Sequence, residues 1–260
     1  MQHDGSGWHW DAESGGEGIQ HLAIKTDEHR RALREELSRA NGDPTLQIVD
    51  TAEPGYARRA SEIFHRDGYV AVGPSMTPAQ LTALQTKAFA VAANIVSLDR
   101  HGGQKGVGRF MFGGPCSFSG SQMHEPEFAM MADLPVVDEV LTAIWGGNAD
   151  FHCTGSGGDI AMPGSEYQPL HSDSSTAPHK PVHDAAGRVV DFVLQDPQLE
   201  WSERDRPCSN IVVDFASVDL TWENGPIRFV KGTQNSHETI PSLADEPHTW
   251  KTATVCPAPA

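Results

Sequence analysis

The sequence is poor in cysteine and in basic side chains. Its cysteines are Cys116, Cys153, Cys208 and Cys256. They are widely spaced and form no C-x-x-C pair, which argues against a zinc ribbon and against a redox-active dithiol. The chain has 19 Lys and Arg against 35 Asp and Glu, a formal net charge of −16, so it lacks the basic excess with which proteins bind nucleic acid. We expect free thiols and no nucleic-acid partner.

The chain also lacks a long apolar run. No stretch approaches the roughly 18 apolar residues that a membrane span requires. The N-terminal residues, MQHDGSGWHWDAESGGEG, have neither the apolar core of a secretory signal nor the Arg-rich composition of a transit peptide. We therefore expect a cytoplasmic protein that does not bind membranes.

Composition divides the chain into two parts. Residues 1–20 are rich in Gly, Ser and acidic side chains, and such a segment buries too little apolar area to offset the entropy of ordering it. We expect this segment to be disordered. Residues 21–260 are enough for one sizeable core, so we expect them to form a single domain.

Helical patterns are concentrated in the first half of the chain. Apolar residues at helical spacing predict a helix over Asp27–Ala40, another that ends at Asp67 before Gly68, and a third over Pro135–Trp145. The segment Thr77-Pro78-Ala79-Gln80 has an N-cap hydroxyl, a proline at the first helical position and a glutamine at the third. It therefore predicts a further helix start.

Short β-rich runs, separated by Gly, Pro, Asn and Asp, dominate the rest of the chain. The runs are Asp150–Thr154, Asp159–Met162, Arg188–Leu194, Ile211–Leu220, Ile227–Val230 and Thr252–Cys256, and one earlier short strand is predicted at 69–72 among the helices. Helices followed by many short strands predict a mainly β fold, a sandwich or barrel supported by N-terminal helices.

The spacing His-x-Asp occurs three times, at His9/Asp11, His65/Asp67 and His171/Asp173. Residues i and i+2 of a strand share a face, so such a pair can point to one metal ion. His9 lies in the segment expected to be disordered, and His65 lies at a helix end, where capping is the usual role. His171 and Asp173 follow a strand signal in the β-rich half, and for them a metal site and a hydrogen-bonded pair that orients a loop are the two interpretations.

Five short motifs follow one another along the chain. They are FHRDGY at 64–69, a helix start after Thr77-Pro78, His171-Ser172-Asp173, DLTWENGP at 219–226 and GTQ at 232–234. This ordered set resembles the phytanoyl-CoA dioxygenase family of Fe(II)/2-oxoglutarate-dependent oxygenases. The resemblance implies a cupin-like double-stranded β-helix, or jelly roll, in which His171 and Asp173 bind Fe(II) and 2-oxoglutarate is the cosubstrate. An imidazole and a carboxylate are two of the three ligands in the facial triad of non-haem iron oxygenases.

The resemblance also implies a third ligand, a His on a late strand, with an Arg beyond it for the distal carboxylate of 2-oxoglutarate. The sequence ends at Ala260, where that strand is expected to begin, and no Arg follows Arg228. We therefore expect the last jelly-roll strands to be missing, with an open sheet edge that favours self-association. His237 is the candidate substitute for the third ligand, and a solvated loop His is the alternative.

Two further residues are candidates for binding the cosubstrate. Gln168 matches a position at which some members of that family have a Gln near 2-oxoglutarate, although a strand Gln that satisfies backbone groups is the alternative. Arg109 is a candidate for an anionic ligand, and its alternative is an exposed arginine at a sheet edge.

The predicted function is hydroxylation of an unidentified small organic molecule, with O₂ as co-reactant. One alternative is a truncated, inactive relative that acts as a binding module or is a non-functional fragment. Another alternative is a zinc hydrolase that uses His171 and Asp173, but the sequence offers it neither a further strand His nor a clear general base. The negative net charge disfavours a CoA thioester as substrate. A local basic patch would offset this effect, and the residues that could form such a patch are Arg30, Arg31, Arg58 and Arg59.

Overall fold

The structure, a computed structural model, describes part of the chain. The described residues are 2–3, 8–9, 48–98, 109–113, 122–162, 165, 170–171, 179–183, 185, 189–194, 208, 210–220, 227–234, 240 and 253–254. The predicted helix Asp27–Ala40 lies outside these residues. Most of residues 1–20 also lie outside them, so the expected disorder there and the domain boundary stay predictions.

Helices are described between residues 56 and 144. They are α1 (Tyr56–Asp67), α2 (Pro78–Leu98), α3 (Pro126–Ala129), the 3₁₀ helix Met130–Asp133 and α4 (Pro135–Ile144). Gly68 ends α1 in the left-handed conformation, with φ at 86°, and donates its N–H to Phe64 O at 2.8 Å. At the start of α2, Thr77 N–H donates to Gln80 Oε1 at 2.9 Å and Gln80 N–H donates to Thr77 Oγ1 at 3.3 Å. Both helix boundaries are confirmed.

The described strands pair two by two. They are β1 (Gln2–His3), β2 (Trp8–His9), β3 (Ile48–Asp50), β4 (Ala71–Gly73), β5 (Arg109–Phe112), β6 (Gly158–Ala161), β7 (His179–His183), β8 (Val189–Leu194), β9 (Arg228–Phe229) and β10 (Ala253–Thr254). Strands β3 and β4 are parallel, whereas β1–β2, β5–β6, β7–β8 and β9–β10 are antiparallel. The assembly of these pairs into a jelly roll stays a prediction.

Two predicted strands are wrong. Residues 150–154 and 211–220 are described, and neither segment is part of a sheet. In the first, the ring of Phe151 packs on Trp145, with centroids 5.1 Å apart. In the second, Ser217 O accepts a hydrogen bond from Gln85 Nε2 at 2.7 Å, and Ile211 packs on a core cluster. These two segments are therefore positioned by contacts with α2 and with the end of α4, and not by pairing with a neighbouring strand.

Two apolar clusters form the described core. In the first, helices α1 and α4 pack together over strand β3; its buried members are Val49, Ala60, Ile63, Val140 and Ile144. In the second, strand β5 packs on helices α2 and α3 through Phe112, Leu84 and Phe128. None of the helices in the described part of the chain is both long and apolar enough to cross a membrane.

Candidate metal and cosubstrate site

His171 is the one predicted metal ligand that the structure describes. It is exposed to solvent and takes part in an interaction. Asp173, Gln168 and His237 lie outside the described residues, so their position relative to His171 stays a prediction. Within the ranges given above, no three His, Cys, Asp or Glu side chains are grouped so that they could hold a metal ion.

The second His-x-Asp pair, His65 and Asp67, has a structural role. The ring Nε2 of His65 lies 3.0 Å from Ile144 O, the last residue of α4, so this imidazole satisfies a helix-end carbonyl. Asp67 is buried and accepts hydrogen bonds from Arg66 Nε and Nη2 at 2.7 and 2.6 Å. Its carboxylate also lies 3.3 Å from Lys231 Nζ. The expectation that this pair is structural is confirmed, although His65 contacts the end of α4 and not the end of its own helix.

Hydrogen bonding to Arg66, together with Lys231, lowers the pKa of Asp67, whereas its burial acts in the opposite direction. The carboxylate is therefore charged at neutral pH and holds the side chain of Lys231 at the end of α1.

The turn Gly232–Gln234 packs on the end of α1. Gly232 N–H donates to Asp67 O at 2.8 Å, and Gln234 Nε2 donates to His65 O at 3.0 Å, across 169 positions of sequence. The rings of Tyr69 and Phe229 stack beside this turn, with centroids 4.5 Å apart. Two of the five sequence motifs, FHRDGY and GTQ, are therefore in direct contact, which the linear order of the motifs did not reveal.

Arg109, the candidate anion-binding residue, lies on strand β5 opposite Ala161 of β6. Successive side chains of a strand point to opposite faces. Phe110 and Phe112 are buried, so Arg109 lies on the face opposite these two phenylalanines. Its side chain is only 18% exposed, which makes the prediction of an exposed edge arginine wrong. Met111, two residues further along the strand and therefore on the same face as Arg109, was the available signal that this face is also partly buried.

Arg109 forms a weak ion pair with Asp159. Its Nη2 lies 3.9 Å from Asp159 Oδ2, which is beyond hydrogen-bonding distance. Burial lowers the pKa of Arg109, and the charge of Asp159 partly opposes that effect. An arginine stays protonated at neutral pH even so. Asp159 therefore attracts this guanidinium electrostatically but does not form a direct hydrogen bond with its N–H donors.

Two glycines fix the pairing of β5 with β6. A Cβ on Gly158 would overlap the ring of Phe112, and a Cβ on Gly113 would lie 2.5 Å from Ser156 O. Gly113 also has φ at 73°, where side chains are disfavoured. In the resulting register Arg109 lies opposite Ala161 and Met111 opposite Asp159, so Arg109 and Asp159 share one face of the pair.

The predicted basic patch is not supported by its described members. Arg58 pairs with Glu62 at 2.6 Å, and Arg59 pairs with Glu53. Arg30 and Arg31 lie outside the described residues. The guanidinium groups at the start of α1 are therefore matched by carboxylates.

Comparison with known proteins gives one result. The model of the family described as Phytanoyl-CoA dioxygenase (PhyH) matches residues 64–255, well over half of the chain. No curated protein and no solved structure matches the sequence. The matched region begins at the FHRDGY motif and includes His171 and Asp173.

Proposed function

Because the chain belongs to the phytanoyl-CoA dioxygenase family, we propose that it is an Fe(II)- and 2-oxoglutarate-dependent oxygenase that hydroxylates a small organic molecule. Members of this family are typically oxygenases and generally use Fe(II) and 2-oxoglutarate. The observation that carries the proposal is the family match over residues 64–255, since it covers both proposed metal ligands.

His171 and Asp173 are the proposed protein ligands of Fe(II). Their donor types fit, because a neutral imidazole and a carboxylate belong to the facial triad of such enzymes. His171 is exposed to solvent. Bound Fe(II), with 2-oxoglutarate and O₂, supplies the oxidising chemistry, whereas the protein supplies orientation and exclusion of water.

We propose His237 as the third ligand. It follows Gln234 by three residues, and the Gly232–Gln234 turn is held on α1 by hydrogen bonds to Asp67 and His65. That anchoring of the turn three residues earlier is the observation that supports the choice of His237.

Arg109 is the proposed partner of a carboxylate on the cosubstrate. A guanidinium recognises a carboxylate through paired N–H donors, and burial strengthens such an interaction. Asp159 lies 3.9 Å away and does not hydrogen-bond the guanidinium. The N–H donors of Arg109 can therefore bind the carboxylate of a ligand that comes closer than Asp159. Gln168 is proposed to lie beside the same ligand.

Anaerobic titration with Fe(II) in the presence of 2-oxoglutarate tests the metal site. We expect the wild-type chain to develop the charge-transfer absorption of the Fe(II)–2-oxoglutarate complex, and His171→Ala and Asp173→Ala to lose it, with Fe(II) binding weakened by at least about tenfold. His9→Ala is the matched control and should keep the absorption. If both ligand variants bind Fe(II) like the wild type, the assignment is wrong.

The same titration separates the remaining residues. His237→Ala should abolish the absorption and His248→Ala should retain it. Arg109→Gln should weaken binding of 2-oxoglutarate while Fe(II) binding stays unchanged, because the side chain is proposed to contact the cosubstrate and not the metal. Succinate release that depends on 2-oxoglutarate then tests turnover directly, and a chain that binds both ligands without releasing succinate would contradict the oxygenase proposal.

A further inference from the structure

We propose that Asp67 and Lys231 are positioning residues for the proposed iron site, because their ion pair fixes the place of the chain segment that leads to His237. This inference rests on the proposed function and extends it to two residues that are not themselves proposed as ligands. It starts from Asp67, which occupies an unfavourable position in helix α1.

Asp67 is the last residue of α1, at the helix end where a carboxylate is least favourable. The carbonyl end of a helix carries a partial negative charge, and Asp also has a low helix propensity. The side chain is buried as well, and burial of a charged group is costly unless the group is paired. Local structure therefore does not account for this residue, and its contacts with other parts of the chain offset these costs.

Two cations compensate the charge of Asp67, and they have different roles. Arg66, its neighbour in sequence, donates two hydrogen bonds to the carboxylate and is the largest cause of its lowered pKa. Lys231, with its Nζ at 3.3 Å, shifts that pKa in the same direction. Because Arg66 already pairs with the buried charge, Lys231 is not required to keep Asp67 ionised. We infer that the ion pair with Lys231 serves to hold the turn that follows this lysine.

The backbone of Asp67 holds the same turn. Its carbonyl oxygen accepts the N–H of Gly232, the residue after Lys231, at 2.8 Å. Asp67 therefore binds two consecutive residues, one through its carboxylate and one through its carbonyl oxygen. The hydrogen bond from Gln234 to His65 O fixes the end of the turn.

The segment that ends in this turn is also held at its beginning. Gln85 of α2 donates a hydrogen bond to Ser217 O at 2.7 Å, so residues 217–234 are tied to one helix at each end. Within this segment the ring of Phe229 stacks on Tyr69, which lies just after α1. The ENGP motif lies between the two ends. The helices in the first half of the chain therefore determine where this segment enters and leaves.

His237 follows the anchored turn closely along the chain. Three residues of extended chain span at most about 11 Å, so the backbone of His237 lies within that distance of Gln234. Metal–ligand distances tolerate deviations of only about 0.2 Å. Loss of a group that orients a ligand typically lowers metal affinity by about 10–100-fold. A turn that is no longer held by Asp67 would therefore place the proposed ligand less precisely and weaken the binding of Fe(II).

Anaerobic titration with Fe(II) in the presence of 2-oxoglutarate tests the inference with Lys231→Met, which keeps an unbranched side chain and removes its charge. We expect this variant to bind Fe(II) about tenfold more weakly than the wild type. Its urea midpoint should stay close to that of the wild type, because a partly exposed ion pair contributes little to stability. Lys231→Arg keeps the charge and should restore Fe(II) affinity. In a chain that already carries Asp67→Asn, Lys231→Met should cause no further loss, because the two residues act through one contact.

Lys87→Met is the matched control. Lys87 pairs with Glu125 at 2.7 Å, and its side chain is 27% exposed, close to the 36% of Lys231. This variant should bind Fe(II) like the wild type. Wild-type affinity in Lys231→Met would overturn the inference, and so would equal losses in the two variants, because they would show an effect of charge alone. If the wild-type chain itself develops no charge-transfer absorption, the proposed function fails and the inference falls with it, so the two failures are distinguishable.

Discussion

Substitution of Gly68 by alanine tests whether the Gly232–Gln234 turn packs on the end of α1. The expected loss in the free energy of unfolding has two parts, the cost of a strained backbone and the loss of contacts with this turn. Gly68 ends helix α1 with φ at 86°. A Cβ built there would lie 2.6 Å from Gln234 Oε1 and 3.1 Å from Gln234 Cβ. The side chain of Gln234 would therefore have to move away, and its hydrogen bond to His65 O would be lost.

The magnitude has two parts. An alanine in the left-handed conformation costs about 1 kcal/mol relative to glycine. Loss of the Gln234–His65 hydrogen bond and of the packing around it adds about 1 kcal/mol, since a net hydrogen bond contributes roughly 0.5–1.5 kcal/mol. Gly68→Ala should therefore lower the free energy of unfolding by about 2 kcal/mol.

Gly55→Ala is the matched control for this prediction. Gly55 precedes α1 with φ at 76°, and a Cβ there would meet no atom within 4 Å. Both substitutions reduce the entropy of the unfolded chain equally, so their difference isolates the contact with Gln234. Urea unfolding should show that Gly55→Ala lowers the free energy of unfolding by about 1 kcal/mol, which is half the loss expected for Gly68→Ala.

A double-mutant cycle completes the test. In a chain that already carries Gln234→Ala, the extra cost of Gly68→Ala over Gly55→Ala should become much smaller, because only the Cβ at position 234, 3.1 Å from the added methyl group, remains in contact. If Gly68→Ala and Gly55→Ala destabilise equally in the wild-type background, the Gly232–Gln234 turn does not pack on α1 as described, and the support for His237 as a ligand is lost.

Two further predictions concern the core and alkaline pH. Phe110 is fully buried, so Phe110→Ala should lower the free energy of unfolding by about 3–5 kcal/mol in urea, whereas Val212→Ala, at a position 62% exposed, should change it by less than about 0.5 kcal/mol; similar effects at both positions would contradict the packing of β5. Burial and the hydrogen bond to Glu139 raise the pKa of Tyr56 to about 12, so its contribution to stability is complete below the ordinary pKa of 10.0 and is lost as pH rises through about 12. Tyr56→Phe should lack this alkaline component when unfolding is measured against pH, and identical pH profiles for the two proteins would refute it.

Local hydrogen-bonding rules account for the features that were predicted correctly. The Thr77–Gln80 capping box and the glycine stop at Gly68 involve residues at most four positions apart. Such contacts depend on side-chain type and backbone geometry alone, and they form whatever the rest of the chain does. The structural role of His65 and Asp67 was predicted from their position at a helix end, but the group that His65 contacts, Ile144 O, lies 79 positions away and was decided by tertiary packing.

Strand prediction failed where distant contacts decided the conformation. Residues 211–220 have strand-like composition, yet Gln85 of α2 supplies a hydrogen bond to Ser217 O and Ile211 packs on the core cluster around Val49. β-propensity mainly reflects whether a side chain fits a half-buried pleated surface, so it cannot say whether a partner strand is present.

The motifs along the sequence were sufficient to indicate the family, and with it His171 and Asp173 as the proposed metal ligands, because the type and order of chemical groups are properties of the chain itself. The burial of Arg109, its 3.9 Å pairing with Asp159 and the packing of Gln234 on His65 were decided by tertiary structure. These contacts join residues 50 to 169 positions apart. Their free energy comes from packing and desolvation, which exist only once the distant segments have been brought together.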